Sequence, residues 1–369
     1  MDIKYSFLAN SSWYINNFRK NTIDTFSKYG EVCVISPIDT KLTVIAKHSP
    51  IKLSTTSTSP VKELVSLLSI YSNIKSSKTS VVFSFNPKTN LYGLISCYIL
   101  NIPIVVNVSG VGTASELSGL VGFLYKRLLK FLMRSANHIF FQNETDFIFF
   151  KESGFIGDAP ATVLPGSGVD LNKFKYNPTS SRTNAFIVAA RLIKQKGVVE
   201  YMHAASGILG TFSNIKFKLA GVHDGSNRAV SKELIEKYNN MDGFDYIGMR
   251  NDMNRVLMDV DCVVLPSYYP EGTPRSLLEA AAAGKVIITT DTPGCRDVVI
   301  EGVNGFLVPP RDTEALKEAM EKVINLSDEK LAEMQANSRK LAEEKFDEQY
   351  VIQRYLDVAE EILAKKSKK

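Results

Sequence analysis

The chain has 369 residues, more than one hydrophobic core usually serves, so we expect two domains. Its 44% hydrophobic and 22% charged residues are ordinary for a soluble globular protein. Four scattered cysteines without a Cys-x-x-Cys pair fit reduced cytosolic thiols and indicate no metal site. The net charge of +5 is uneven, because residues 1–170 hold 16 Lys and Arg against 11 Asp and Glu, whereas the rest holds 28 of each. A basic first half favours an anionic surface or acceptor there.

The chain leads from Met1 straight into an apolar strand, with no secretory signal. The longest apolar run, 91–106, is broken by Asn101 and Pro103 and predicts a helix and then a strand. We therefore expect a cytoplasmic protein without a membrane span.

Apolar runs alternate with amphipathic segments through the first half, which is typical of a parallel sheet covered by helices. The first strand is predicted at 4–9, and Asn10 or Ser11 can cap a helix that runs to residue 29. That first turn often meets ligand in doubly wound folds, although a plain capped helix start is an equal alternative. Further strands are predicted at 32–36, 81–85, 104–108, 138–142 and 161–164, helices at 60–74, 91–100 and 143–153, and a loop at 49–60.

A loop of small residues follows the strand at 104–108. It contains Ser109, Gly110, Gly112 and Thr113, and its glycines allow a ligand to approach the backbone closely. Plain turns share this composition, but the place at the carboxyl end of a strand favours a ligand.

Residues 120–135 include no acidic side chain. Basic residues recur at helical spacing and apolar residues occupy another face, which predicts a basic amphipathic helix on an anionic membrane. A core helix with a solvated basic face is the alternative. The basic residues are Lys126, Arg127, Lys130 and Arg134, and the apolar ones are Val121, Leu124, Leu128, Phe131 and Leu132.

The glycine-rich segment 165–168 is the best domain boundary. The second domain opens with a buried strand at 185–190, and Arg191 and Lys196 precede a helix that starts near Gly197. Two cations before a helix start fit a diphosphate clamp. Strands are predicted at 217–221, 244–247, 262–266, 286–290 and 306–308, and helices at 313–324, 328–344 and 349–363.

The segment 261–305 is the centre of the second domain. A strand at 262–266 leads to a helix over 277–283 that stops at Gly284, with Thr273 suited to the N-cap and Pro274 to the first helical position. A helix N-terminus of this kind can receive an anion such as a diphosphate. Glu271 precedes the helix and Glu279 lies about 9 Å along it, at 1.5 Å per residue. The two carboxylates can reach two ends of one extended ligand, or they are a loop side chain and a solvated helix side chain.

Asp259 and Asp261 form an Asp-x-Asp pattern that elsewhere binds metal. They precede a buried strand, away from the carboxyl end where ligands bind, so we expect no metal there. No Gly-x-Gly-x-x-Gly follows the first strand, which argues against a dinucleotide dehydrogenase.

Taken together, several motifs resemble those of glycosyltransferase family 4. The resemblance covers most of the chain and is strongest over 136–310. The spacing of Glu271 and Glu279 resembles the Glu-x7-Glu motif of retaining glycosyltransferases, and 190–197 resembles the Arg…Lys-Gly element of the family. The chain resembles bacterial transferases that build surface polysaccharides on a polyprenyl-diphosphate carrier. Further matching segments are 265–267, 271–274, 277–280, 283–285 and 305–308, together with 166–170 and Phe174.

This resemblance implies the GT-B fold, an α/β architecture of two doubly wound, Rossmann-like domains that face a cleft. The expected acceptor-side domain is 1–168 with the C-terminal helix, about 349–369, crossing back to it, and the expected nucleotide-sugar domain is 169–348. The implied enzyme is a retaining hexosyltransferase that moves a sugar from a nucleotide sugar, by expectation a UDP-sugar, to a hydroxyl of a lipid-linked glycan. It is expected to be peripheral on the inner face of the cell membrane and to bind no nucleic acid.

The resemblance also implies the roles of residues. Arg191 and Lys196 stabilise the leaving diphosphate, Glu271 binds the donor sugar, and Glu279 binds the ribose, with no metal or other cofactor. The expected donor contacts also include Gly272, Thr273, Pro274, Arg275, Met249 and Arg250, and the expected acceptor-side contacts are Asn10, Ser11, Ser109, Gly110, Gly112 and Thr113.

Two alternatives remain open at this point. A nucleotide-sugar epimerase has a similar two-domain shape but needs acid and base groups near the sugar. A non-catalytic nucleotide-sugar-binding protein would lack part of the set Arg191, Lys196, Glu271 and Glu279, which is intact here.

Overall fold

The computed structural model describes residues 3–54, 59–110, 119–178, 181–223 and 225–367. The chain divides into two compact units: unit 1 is Met1–Leu164 with Gln349–Lys369, and unit 2 is Pro165–Glu348. None of the helices in the described residues is long and apolar enough to cross a lipid bilayer.

Unit 1 is built on a parallel sheet of apolar strands, as the continuous apolar runs predict. In its described residues the sheet has seven strands in the order β3-β2-β1-β4-β5-β6-β7, so the order reverses between β1 and β4. The strands are β1 (Lys4–Leu8), β2 (Glu31–Ser36), β3 (Lys47–Pro50), β4 (Val81–Ser84), β5 (Ile104–Val108), β6 (His138–Phe141) and β7 (Ala161–Val163).

Helices cover both faces of this sheet and bury two separate apolar clusters. One face carries α3, α4, α5 and α6, and the other carries α1, α2 and the last helix, α13, whose Tyr355 packs among the phenylalanines of the strands. The predicted return of the C-terminal helix to the first unit is confirmed. The helices are α1 (Ser12–Phe18), α2 (Lys20–Phe26), α3 (Pro60–Ser77), α4 (Pro87–Leu100), α5 (Gly119–Met133), α6 (Glu144–Glu152) and α13 (Glu348–Ser367).

Two local predictions in unit 1 were wrong. The helix predicted to reach residue 29 breaks at Arg19, whose side chain is buried with its guanidinium 4.4 Å from the ring centroid of Phe85. The predicted loop at 49–60 begins inside β3, because Ser49 and Pro50 continue the ladder with β2. Both departures depend on distant partners that local sequence patterns do not reveal.

Unit 2 repeats the doubly wound plan. In its described residues the parallel sheet has six strands in the order β10-β9-β8-β11-β12-β13, so the order reverses between β8 and β11. The strands are β8 (Ala185–Ala189), β9 (Lys216–Ala220), β10 (Phe244–Gly248), β11 (Cys262–Leu265), β12 (Val286–Thr290) and β13 (Gly305–Val308).

The helices of unit 2 also bury an apolar cluster on each face of the sheet. They are α7 (Val198–Leu209), α8 (Lys232–Asn239), α9 (Met253–Val256), α10 (Arg275–Ala282), α11 (Thr313–Ile324) and α12 (Asp328–Leu341), the last followed by a π turn at Ala342–Phe346. The two parallel α/β units are those of the predicted fold class.

Candidate functional site

The loops that follow β8 and β11 meet where the strand order of unit 2 reverses. In doubly wound sheets, ligands bind outside the carboxyl ends of the strands at this point. The first loop carries Arg191 and Lys196, and the second runs from Pro266 to Pro274 and carries Glu271. Residues that are 75 positions apart in the chain are thereby brought together.

Lys196 and Glu271 form an ion pair between these two loops. The Lys196 ammonium contacts Oε2 of Glu271, and the Ser267 hydroxyl donates to Oε1 of the same carboxylate at 2.6 Å. Only 11% of the Lys196 side chain and 13% of the Glu271 side chain are exposed. The interpretation of Glu271 as a plain loop side chain does not fit this burial.

Tyr269 lies beside the two cations predicted for the diphosphate. Its ring centroid is 5.5 Å from the guanidinium carbon of Arg191 and 5.8 Å from the ammonium of Lys196. The neighbouring Tyr268 lies under Arg311, at 4.5 Å from its guanidinium carbon. These residues were not predicted from the sequence, although two aromatic residues between a buried strand and Glu271 are a recognisable signal.

Two glycines let the loops of the site pack backbone to backbone. Gly197 has a φ of +71°, and a Cβ at that position would overlap the carbonyl of Pro266. Gly294 has a φ of +80°, and a Cβ there would overlap the carbonyl of Gly272. The loop after β12 therefore lies against the Glu271 loop, and both approaches require glycine.

The N-cap of the helix after this loop lies one residue later than predicted. Pro274 is the N-cap and α10 begins at Arg275, so Thr273 is not the N-cap, and the cap makes no side-chain hydrogen bond. The Pro274 carbonyl accepts from the Leu277 backbone at 3.1 Å, while Thr273 is buried against Gly166. The predicted end is correct, since Gly284 follows the helix with a φ of +62°.

Glu279 is not a solvated helix side chain, because only 14% of it is exposed. Its Oε1 accepts a hydrogen bond from Nε of Arg275 at 3.2 Å. Burial raises the pKa of Glu279, whereas the positive charges of Arg275 and Lys173 oppose that rise. The structure thus gives each of the two glutamates a different cationic partner.

Met249 and Arg250 lie beyond the end of β10, at the edge of the sheet. Met249 is half exposed, and Arg250 donates two hydrogen bonds to Asp252, at 2.8 and 2.7 Å. The Gly248 carbonyl accepts from the backbone N–H of Gly221 at 2.9 Å, which fixes this strand end to β9.

The predicted acceptor-side residues lie in unit 1, at the ends of β1 and β5. The Asn10 backbone N–H donates to Oδ1 of Asn86, at 3.0 Å, across the reversal of strand order between β1 and β4. Ser11 caps α1 and also donates to Asp39 at 2.6 Å. Ser109 and Gly110 follow β5, whereas Gly112 and Thr113 lie outside the described residues.

Asp261 of the Asp-x-Asp pattern has a structural role. Oδ2 of Asp261 accepts backbone N–H groups from Thr183, at 2.9 Å, and Asn184, at 2.6 Å, at the amino end of β11. Within the described ranges, no group of three or more His, Cys, Asp or Glu side chains is placed to hold a metal ion.

The basic helix is α5, and its cations fall into two groups. Lys130 donates to the Ser153 carbonyl at 2.9 Å and Arg134 to the Gly154 carbonyl at 3.1 Å, so both satisfy the C-terminal end of α6. Arg127 is exposed beside the ring of Phe123. Leu124, Leu128 and Phe131 are exposed as a membrane-facing stripe requires, but Leu132, assigned to the same face, is buried in the core.

Comparison with known proteins identifies the class. Residues 170–341 match the family model described as glycosyl transferases group 1. The chain is 26% identical to the N,N'-diacetylbacillosaminyl-diphospho-undecaprenol alpha-1,3-N-acetylgalactosaminyltransferase of Campylobacter jejuni, over 98% of this chain and 99% of the relative. It is 28% identical to the UDP-Gal:alpha-D-GlcNAc-diphosphoundecaprenol alpha-1,3-galactosyltransferase of Escherichia coli, over 72% of this chain and 73% of the relative.

A solved structure shares the fold over the full length. Anabaena HepE in complex with UDP-glucose superposes with a TM-score of 0.74 at 18% identity, covering 100% of both chains. The chain therefore carries a glycosyl transferases group 1 domain and is a glycosyltransferase. The predicted resemblance to bacterial glycosyltransferases, the fold class and the enzyme class are confirmed.

Proposed function

We propose that this glycosyltransferase moves a sugar from a UDP-sugar to a hydroxyl of a polyprenyl-diphosphate-linked glycan, with retention of anomeric configuration, in the synthesis of a surface polysaccharide. The names of the Campylobacter and Escherichia relatives support a carrier-linked acceptor, and the HepE complex supports a UDP-sugar donor. The observation that carries the proposal is the buried pair Lys196–Glu271 at the reversal of strand order, with Arg191 beside it across Tyr269.

The proposed chemistry follows from the charges of Arg191, Lys196 and Glu271. The acceptor oxygen bonds to the anomeric carbon on the face from which the nucleoside diphosphate departs, as retention requires, and the hydroxyl proton passes to the departing diphosphate. Negative charge grows on the departing diphosphate, and fixed cations aimed at it stabilise the transition state. Arg191 and Lys196 supply those cations, Glu271 binds hydroxyls of the transferred sugar, and Glu279 binds the ribose. In this proposal the side-chain cations and backbone amides carry the charge without a metal ion.

A lipid-linked acceptor requires the enzyme to work at a membrane surface. We propose that α5 lies on the inner face of the cell membrane, together with the outer faces of α4, which packs against α5, and of α3, which packs against α4. Between residues 59 and 142 the sequence has eight Lys and Arg but only two acidic residues, Glu63 and Glu116. This composition matches an anionic lipid surface.

Exposed apolar side chains recur on the outer side of this helical layer. Tyr98 of α4 contacts Phe131 of α5 with their ring centroids 5.4 Å apart, so the two helices share one apolar surface. Contiguous exposed apolar surface marks an interaction site on a soluble unit. The exposed residues are Val61, Leu64, Val65 and Leu68 on α3, Tyr98 and Ile99 on α4, and Phe123, Leu124, Leu128 and Phe131 on α5.

A donor panel tests the proposed reaction. Purified protein is incubated with UDP-, GDP- and ADP-sugars and a synthetic polyprenyl-diphosphate-linked N-acetylhexosamine, and the product linkage is determined by NMR. We expect transfer from a UDP-sugar with the anomeric configuration retained, and turnover that survives a chelator. An inverted product, or activity lost on chelation and restored by Mn²⁺ or Mg²⁺, would contradict the proposal. Conversion of the donor to its epimer without acceptor would support an epimerase instead.

A further inference from the structure

Arg275 occupies an unfavourable place for a cation. It is the first residue of α10, whose first turn holds no acidic residue, so the positive end of the helix dipole opposes its charge. Only 15% of the side chain is exposed. A residue that departs from a local rule needs a compensating contact, and such departures occur mainly at functional positions.

The guanidinium of Arg275 finds that compensation on two sides. Its Nε donates to Oε1 of Glu279 at 3.2 Å. Its Nη1 donates to the Gly168 carbonyl at 2.6 Å and to the Ser167 hydroxyl at 3.3 Å. One planar group therefore joins the Glu279 carboxylate to the segment by which the chain enters unit 2.

This segment is itself held firmly. Gly168 has a φ of +70°, and a Cβ there would come within 2.5 Å of the Cα of Glu348. The Val169 backbone N–H donates to the Phe346 carbonyl at 2.8 Å, and the Glu348 N–H donates to the Val169 carbonyl at 3.1 Å. The Gly168 carbonyl is consequently a fixed anchor, and Arg275 transmits its position to Glu279.

We propose that Arg275 is a positioning residue, which holds the Glu279 carboxylate in the orientation that accepts the ribose hydroxyls of the donor. This inference rests on the proposed function, in which Glu279 binds the ribose. It distinguishes Arg275 from Arg191 and Lys196, which act on the diphosphate. It also replaces the sequence-based expectation that Arg275 contacts the donor itself.

The test is steady-state kinetics with the UDP-sugar donor on Arg275→Ala, Glu279→Gln and the double variant. A hydrogen bond to a charged group is typically strong enough to change an equilibrium about tenfold or more. We expect Arg275→Ala to raise the donor KM about tenfold while kcat stays within about threefold, because ribose binding changes little in the transition state. The double variant should be no worse than Glu279→Gln alone, since both changes remove one coupled unit.

The pH profile separates positioning from a merely structural role. The positive charge of Lys173 also lowers the pKa of Glu279, and it remains when Arg275 is removed. Without Arg275, the buried carboxylate should protonate more readily, so the donor KM of Arg275→Ala should rise further at mildly acidic pH. That extra dependence should disappear in the Glu279→Gln background. Arg275→Lys keeps the positive charge but cannot reach both Glu279 and Gly168, so it should recover part of the affinity for the donor. If Arg275→Ala folds poorly, the same measurements are made on Arg275→Lys.

Arg339 offers a matched control. Its side chain is 18% exposed, and it donates to the Ala282 carbonyl at the other end of α10 and to the Phe174 carbonyl, with no contact to Glu279. Arg339→Ala should lower stability and leave the donor KM and its pH profile unchanged. A fall in kcat at constant KM in Arg275→Ala, or losses that multiply in the double variant, would overturn the positioning role. An unchanged KM in Glu279→Gln would instead refute the ribose role of Glu279 itself.

Discussion

Ser267 donates its hydroxyl to Oε1 of Glu271 at 2.6 Å, on the opposite side of the carboxylate from Lys196. Ser267 is fully buried, and its oxygen also accepts from the Tyr269 backbone N–H at 3.3 Å. One hydroxyl thereby connects Glu271 to the tyrosine beside Arg191. The carboxylate is fixed before any donor arrives, as electrostatic preorganisation requires.

Ser267→Ala should lower kcat about tenfold, because the hydrogen bond to the Glu271 carboxylate is lost and its orientation is no longer fixed. Thr289→Val is the matched control, since the Thr289 hydroxyl is buried nearby but donates to the Leu265 carbonyl. Steady-state kinetics on both variants checks the prediction. Equal losses in the two variants would show that Ser267 matters only for packing.

Lys196→Met should abolish most activity and destabilise the fold, because it leaves the Glu271 charge buried without its cation. Breaking a buried pair from one side costs about 3 kcal/mol or more. The double variant Lys196→Met with Glu271→Gln should regain much of that stability without regaining turnover. Urea unfolding and activity measurements together provide the check, and a double variant as unstable as the single one would contradict it.

The two glutamates should differ kinetically. Glu271→Ala should mainly lower kcat, because contacts with the transferred sugar strengthen as the glycosidic bond breaks. Glu279→Ala should mainly raise the donor KM, because the ribose is far from the bond being broken. Circular dichroism first confirms that both variants fold. Steady-state kinetics with the donor then tests the two roles. If Glu271→Ala keeps kcat within about twofold while Glu279→Ala abolishes it, the sugar and ribose ends are reversed.

Neutralising Lys126 and Arg127 of α5 should weaken membrane binding. Lys126→Gln with Arg127→Gln should reduce affinity for phosphatidylglycerol vesicles roughly thirtyfold, at about 1 kcal/mol for each charge. Lys130 and Arg134 are left intact because they bond the end of α6. Vesicle sedimentation at several salt concentrations gives the measurement.

Lys232→Gln with Lys237→Gln is the charge-matched control for the membrane test. These two exposed lysines lie on α8 in unit 2. Binding should be nearly unaffected in this control. An equal loss in both double variants would mean that net charge, and not the α5 surface, determines binding.

His138 should make unit 1 less stable in acid. Burial, with the positive charges of Arg354 and Lys365, lowers the pKa of His138 from its ordinary 6.5 to about 4. The unfolded chain therefore binds a proton that the folded chain does not, and stability falls as pH drops from 6.5 towards 4, by about 3 kcal/mol at most.

His138→Gln should remove this part of the pH dependence, since Gln stays neutral and can still bond the Thr162 hydroxyl, which lies 3.0 Å from the ring nitrogen. His203→Gln, at an exposed position, is the control. Urea unfolding at a series of pH values measures the difference. A slope for His138→Gln that matches the wild type would refute the assignment.

The sequence by itself determined the architecture and most of the candidate donor residues. Continuous apolar runs alternating with amphipathic segments suffice to predict parallel α/β units, because burial of both sheet faces appears directly in the order of residues. Arg191, Lys196 and Glu271 were found because loops at the carboxyl ends of strands carry the ligand contacts of such sheets. Glu279, which lies on α10, was found from its spacing to Glu271 and the resemblance to the Glu-x7-Glu motif. The end of α10 was also predictable, since helices commonly end at a residue with positive φ, which glycine adopts readily, and Gly284 has a φ of +62°.

Only the tertiary structure decided which of these side chains hold one another. The Lys196–Glu271 pair joins residues 75 positions apart, and the bond from Arg275 to Gly168 spans 107 positions. The stacking of Tyr269 and the break of the first helix at the buried Arg19 likewise depend on distant neighbours. Local patterns report propensity and periodicity, whereas such contacts are set by how strands are ordered in the sheet and how closely loops pack, and a single sequence does not display either.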